Sequence, residues 1–286
     1  MSNEAVSEFK TVFDSTPLND GLYTFLQVIY HLYPEDQFHY VLAVATRTKK
    51  TDEEIYKEAQ RNLPEIKPFL SALTYSLPAL LKQKKEIANQ TLQLLGDRKT
   101  IHGYLEIGST GRYISALKKK VKVKDGIFLM NDVAPSNSIA DIFERGRITR
   151  LGHFIPLTYN PITKEEIADE SLDVVTCYIG LHHCPLEQLE AFILSVRRVL
   201  RTGGLFIMRE HDVKTPAMAT FVSVVHTVFN LGLNVKWEIE TREFKSLRSI
   251  EEWSNIITSY GFEDNKQRIL QDKDPSDNTL LSFTKI

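Results

Sequence analysis

Glu106, Gly108 and Gly111 stand in the run YLEIGSTGRYISAL with the spacing ExGxxG. At that spacing Gly108 lets the chain turn sharply at a strand end, and Gly111 allows backbone to approach a ligand and helix to approach sheet. The following helix offers free N–H groups at its start. In a dinucleotide site those groups face a pyrophosphate. A carboxylate at the strand end would repel phosphate and suits a cationic amino group, so Glu106 turns the reading from a nicotinamide nucleotide towards a nucleoside bearing an amino acid. Asp132, in GIFLMND about twenty residues past the glycines, stands where a carboxylate accepts two hydrogen bonds from ribose hydroxyls. Its alternative reading is a helix cap before PSNSIA.

Three histidines come next. His182 and His183 follow an apolar run in SLDVVTCYIGLHHCP, and His211 lies in MREHDVK after another. A histidine at a strand's carboxyl end can take a proton from a reacting group, and it can equally serve only to shape a pocket. Glu210, His211 and Asp212 are three ionisable residues at the end of a core strand, where they are costly unless solvated or used. A carboxylate beside His211 would fix its tautomer. The alternative is a solvated turn with Asp212 capping the next helix, and alternation along an extended chain sets Glu210 and Asp212 on one side with His211 opposed. Metal is not expected, because His182, His183 and Cys184 are chain neighbours that cannot converge on one ion from regular backbone.

The elements that position these residues change character near Lys99. Before it, DGLYTFLQVIYHLY spaces Leu22, Phe25, Leu26, Ile29 and Leu32 for a helix with Asp20 as its cap. EDQFHYVLAVATRTKK and TDEEIYKEAQRNL predict two more, Pro64 and Pro68 interrupt, and Pro78 opens a longer one that Gly96 stops. From Ile101, apolar runs of strand length alternate with helical patterns, NSIADIFERG and LEQLEAFILSVRRVL among them. That alternation predicts βα units on a parallel sheet buried on both faces. IEEWSNIITSYGF adds a helix, and KQRILQ and NTLLSFTKI read as two final strands.

In combined order, ExGxxG after strand one, an acid after strand two, an (S/F)DxV strand ending in LHH, and the LRTGG turn into strand five resemble the class I S-adenosylmethionine-dependent methyltransferases. The resemblance covers roughly Ile101 to Ile286. It implies a Rossmann-like α/β fold, a seven-stranded mostly parallel sheet with a last antiparallel strand, over a domain of residues 100–286. It implies S-adenosyl-L-methionine as cofactor, with Glu106, Gly108, Ser109 and Gly111 along its methionine part and Asp132 at the ribose. Asn160 is the nearest counterpart of the family's adenine contact, with Tyr159 as a stacking partner. The loop from Tyr178 through Gly180 to His183 would sit beside the sulfonium, with His182, His183, His211 and Glu210 as catalytic candidates. Residues 1–99 would be a helical lid over the mouth of the site, its Tyr23, Tyr30, Tyr33, Phe38, His39 and Tyr40 either lining it or simply packing helices.

The expected reaction is methylation of a small-molecule acceptor. Alternatives are a cyclase or lyase that consumes the same cofactor and releases methylthioadenosine, an RNA or cap methyltransferase, and a non-catalytic cofactor-binding subunit. A net charge of -2, from 35 basic and 37 acidic residues, provides no broad positive field for nucleic acid. NPIT at Asn160 does not reproduce the NPPY-type loop of amino-directed nucleic-acid enzymes, and the basic run from Arg112 to Lys124 reads as a solvated helix end. With two cysteines and an acidic, polar start, the chain is expected to be reduced and cytoplasmic. Thr215 to Val235 is 21 residues without a charge, near the length of a membrane span. Its many polar groups argue against one, and its place after strand five predicts a buried crossover helix covered by the N-terminal helices.

Overall fold

A computed structural model describes residues 6–30, 33–67, 77–136, 138, 142, 149–178 and 180–286. The helix expected in NSIADIFERG falls almost entirely outside the described residues, as do Leu32 and Pro68. The chain forms two compact units, one of residues 80–210, 244–270 and 279–286, the other drawing its described residues from 1–79, 211–243 and 271–278.

The first unit is built on a seven-stranded sheet in the order β3-β2-β1-β4-β5-β7-β6. Its strands are β1 (Thr100–Ile107), β2 (Lys122–Asn131), β3 (His153–Pro156), β4 (Leu172–Cys177), β5 (Leu200–His211), β6 (Phe262–Leu270) and β7 (Asn278–Lys285). The pairs β1–β2, β1–β4, β2–β3 and β4–β5 are parallel, and β6–β7 is antiparallel. Neighbouring residues of a strand feed opposite faces. Leu105, Val175 and Phe206 join one buried cluster with Phe192 and Trp253, while Tyr104, Val174 and Ile207 join another with Ile87 and Tyr113. Helices α7 (Leu186–Val199) and α10 (Ile250–Ser259) therefore cover one face, and α5 (Leu77–Leu95) and the short α6 (Ile114–Leu117) the other. The seven-stranded, mostly parallel sheet and the two final strands are as the sequence led us to expect.

The second unit is helical: α1 (Glu8–Asp14), α2 (Thr16–Val28), α3 (Glu35–Thr48) and α4 (Asp52–Ile66), with α8 (Pro216–Gly232) and α9 (Trp237–Glu240). Asp20 is not a cap, because α2 already begins at Thr16 after Ser15, with proline in its first turn. Nor does Pro64 end α4, which runs on to Ile66. Asp52 accepts bonds from the Ser7 hydroxyl and from the Glu8 and Phe9 N–H groups, closing the start of α1. The uncharged stretch forms α8, with Phe221, Val222, Val224, Val228 and Leu231 buried. The Tyr30 and Tyr33 hydroxyls donate to the Phe229 and Gly232 carbonyls, each at 3.2 Å, and Tyr56 and Gln60 both donate to the Val235 carbonyl at 2.8 Å. The bonds to Phe229 and Gly232 fall on carbonyls of the last turn of α8, and those to Val235 on the segment that follows it. Among the described residues no helix is long and apolar enough to cross a membrane. The compact units differ from a cut of the chain at Lys99: α5 lies almost wholly with the sheet, and α8 lies with α1 to α4.

Candidate active site

The loop after β1 is organised by Glu106, which is fully buried at the strand end. Its carboxylate accepts bonds from the Tyr113 and Ile114 N–H groups at 3.1 and 2.7 Å, from the Tyr104 hydroxyl at 3.2 Å, and from the Ser109 hydroxyl. Burial pushes this carboxyl above its ordinary range, and the four hydrogen bonds pull against that rise. The Ser109 hydroxyl in turn accepts from the Gly111 and Arg112 N–H groups, both at 3.1 Å. The loop is thus closed on itself around one carboxylate. All four bonds to Glu106 come from protein groups, so its place in this structure is to hold the loop. Gly108 donates its N–H to the Met130 carbonyl at 2.8 Å, which joins the loop to the end of β2. Gly111 has a φ of 104°, and a Cβ there would stand 2.8 Å from Leu151 Cδ1, so the turn requires glycine.

Two residues beyond Met130, Asp132 is exposed. Its only side-chain bond in the described structure is the one its Oδ1 accepts from the Val133 N–H at 2.9 Å. After β3, Tyr159 adopts a left-handed φ of 58°, an uncommon conformation for a non-glycine residue. Its hydroxyl donates to the Gly180 carbonyl, and its ring stands edge-on to Phe192 with centroids 5.5 Å apart. Asn160 beside it is exposed. Gly180 has a φ of 117°, and a Cβ on it would meet the Tyr159 hydroxyl at 3.0 Å.

The turn after β4 carries the histidines. Glu210, near the end of β5, accepts from the His182 backbone N–H at 3.2 Å and from its Nδ1 at 2.6 Å. An ionised carboxylate can only accept, so Nδ1 carries the proton of this bond. Both side chains are buried. His183 donates from Nδ1 to the Phe244 carbonyl at 3.0 Å, and the Ser246 N–H donates to the His182 carbonyl at 2.7 Å. Residues 244–246 are therefore fastened to this turn.

The structure redistributes some of the expected residues. Glu210 orients His182 and not its chain neighbour His211, which belongs to the helical unit, donates from Nδ1 to the Ser276 carbonyl at 2.9 Å and meets His226 edge-on. Tyr178 points into the core on the α5 side, where its hydroxyl shares a 2.7 Å hydrogen bond with Thr91 and its ring meets Tyr113 edge-on at 4.8 Å. Sequence reasoning passed over Tyr104, whose hydroxyl also bonds Thr176 at 2.8 Å. The signal was there, since Tyr104 and Glu106 are two apart on one strand and share a face.

Residues 105–208 match the family model described as a methyltransferase domain. This stretch is a methyltransferase domain. A search of curated proteins finds no match to the chain. The methyltransferase domain and its flanking segments share their fold with the CurJ carbon methyltransferase, at 16% identity and a TM-score of 0.51 over 93% of this chain and 69% of that one. Also similar are a Burkholderia thailandensis 1,6-didemethyltoxoflavin-N1-methyltransferase solved with bound S-adenosylhomocysteine (13% identity, 72% of this chain and 78% of that one, TM-score 0.48) and the N-methyltransferase NodS from Bradyrhizobium japonicum (14%, 71% and 96%, TM-score 0.44). The sheet order and the methyltransferase domain together give this chain the class I methyltransferase fold.

Proposed function

We propose that the chain uses S-adenosyl-L-methionine to methylate a small-molecule acceptor. The observation that carries this reading is the glycine loop closed around Glu106 with the exposed Asp132 carboxylate beside it, at the carboxyl ends of adjacent parallel strands. Ligands of open α/β sheets bind in that crevice. The residues fit the cofactor: Gly108 and Gly111, both at positive φ, leave the backbone bare at two points of the loop, and Asp132 has acceptor capacity for two ribose hydroxyls. The neighbour from Burkholderia thailandensis, solved with the demethylated cofactor, is consistent with it.

When bound, the cofactor supplies an activated methyl group on a sulfonium. The protein's part is to position an acceptor and, where the acceptor atom carries a proton, to take it. Gly108, Ser109 and Gly111 would line the methionine part, with Glu106 acting through the loop it holds. Asp132 would bind the ribose, and Tyr159 and Asn160 would stand at the adenine end. Glu210 orients His182, the residue read as taking a proton from the acceptor, and His183 shapes the same turn.

The test is to incubate the protein with S-adenosylmethionine, with and without a metabolite extract, and to follow nucleoside products by mass spectrometry. Adenosylhomocysteine formed only with extract is expected. Methylthioadenosine formed without extract would replace methyl transfer by self-cleavage, and absence of cofactor binding would remove the reading altogether.

A further inference from the structure

A cavity of about 800 Å³ opens within the helical unit among α1, α2 and α3. Small-molecule sites have this size, and they combine aromatic walls with a few polar groups that fix orientation. His39 lies at the centre of the aromatic wall. The rings of Phe13 and Tyr23 are each centred 5.3 Å from its imidazole, and its Nε2 meets Asn19 Oδ1 at 2.7 Å. Half-burial pulls the imidazole below its ordinary range, against the opposing pull of Asp20 and Asp36. Tyr40 leaves 64% of its surface in solvent at the same cavity.

Charges of both signs complete the lining. Lys10 and Asp14 come from α1, and Arg47 comes from α3. None of the three side chains forms an ion pair among the described residues. Asp36, the remaining acid, already accepts from the Tyr23 hydroxyl. A cavity whose lining holds an aromatic wall, a free guanidinium and a free carboxylate is complementary to a flat apolar body that carries an anion and a cation. The guanidinium fork suits a carboxylate, and a carboxylate suits an ammonium.

We propose that the helical unit carries a binding site for an aromatic amino acid, or a ligand with the same zwitterionic head and planar ring. The site uses none of the residues at the strand ends and stands independently of the methyl-transfer reading. Arg47 receives the carboxylate, Asp14 the ammonium, and Phe13 and Tyr40 the ring.

Calorimetric titration of the full chain tests this with L-phenylalanine, L-tyrosine and L-tryptophan, and with 3-phenylpropanoate and phenethylamine as probes carrying a single charge. Saturable binding of at least one amino acid is expected, with both single-charge probes weaker by roughly tenfold or more, the loss of one charged hydrogen bond. Arg47→Ala and Tyr40→Ala, at exposed positions, should each weaken binding by several-fold, roughly the scale of one lost contact, without changing the thermal midpoint. Arg47→Lys should recover part of the loss. The proposal is overturned if no amino acid binds saturably, if the single-charge probes bind equally well, or if both alanine variants bind as the parent does.

Discussion

The Glu210 carboxylate holds His182 at two points, its backbone N–H at 3.2 Å and its imidazole Nδ1 at 2.6 Å. The same group therefore sets both the path of the turn after β4 and the tautomer of its histidine. Glu210→Gln keeps the shape and replaces one of the two acceptor oxygens by an NH2 donor. We expect a fall of about 10²-fold in kcat, the usual scale for impaired proton transfer, with the cofactor Kd unchanged. Steady-state kinetics and cofactor titration on the same preparation separate the two, and an unchanged kcat would remove Glu210 from the chemistry.

Asp132 is exposed and its side chain bonds only its neighbour's N–H. Asp132→Ala should therefore leave the thermal midpoint in place while weakening cofactor binding by roughly tenfold or more, as expected for lost hydrogen bonds to a charged acceptor. Titration with S-adenosylhomocysteine reads this directly. Equal affinity in the variant would displace Asp132 from the ribose site.

Tyr178 gives the opposite pattern. Its hydroxyl bonds Thr91 inside the core, so Tyr178→Phe should lower stability by about 1 kcal/mol and leave cofactor affinity within about twofold. Denaturant unfolding and ligand titration together distinguish this core role from the cofactor contact that the chain position alone suggests.

Asp264 supplies a pH dependence. Burial would raise its carboxyl, but bonds from Arg268, Ser254 and the Lys266 N–H outweigh burial and hold it well below its ordinary value of 3.8. A carboxylate depressed in the folded state stabilises the fold above its unfolded pKa, and that contribution disappears as pH falls through the folded one. Asp264→Asn should accordingly be less stable than the parent at pH 6, with the gap narrowing steadily below pH 4. Urea midpoints across that range check the slope, and a constant gap would contradict it.

Gly111 tests the loop. At a φ of 104°, with Leu151 against any added Cβ, Gly111→Ala should cost about 1–3 kcal/mol of backbone strain and weaken cofactor binding. Thermal midpoint and cofactor titration should fall together, in contrast to Asp132→Ala.

What the sequence by itself determined was everything carried by local spacing. The βα alternation after Ile101, the ExGxxG turn at Glu106 to Gly111 and the polar groups that argued against a membrane span in Thr215 to Val235 each depend on residues a few positions apart. Hydrophobic period and glycine dihedrals act over that distance. The tertiary structure alone decided which distant groups meet. Glu210 reaches His182 across 28 positions, and the neighbour it seemed made for, His211, bonds Ser276 instead. Glu106 is encircled by the loop it precedes, Tyr178 faces α5, and Tyr30 and Tyr33, between α2 and α3, meet the carbonyl end of α8. Those partnerships follow from strand register and from which face of each element is covered. Both are set by burial summed over the whole chain and not by any stretch of it.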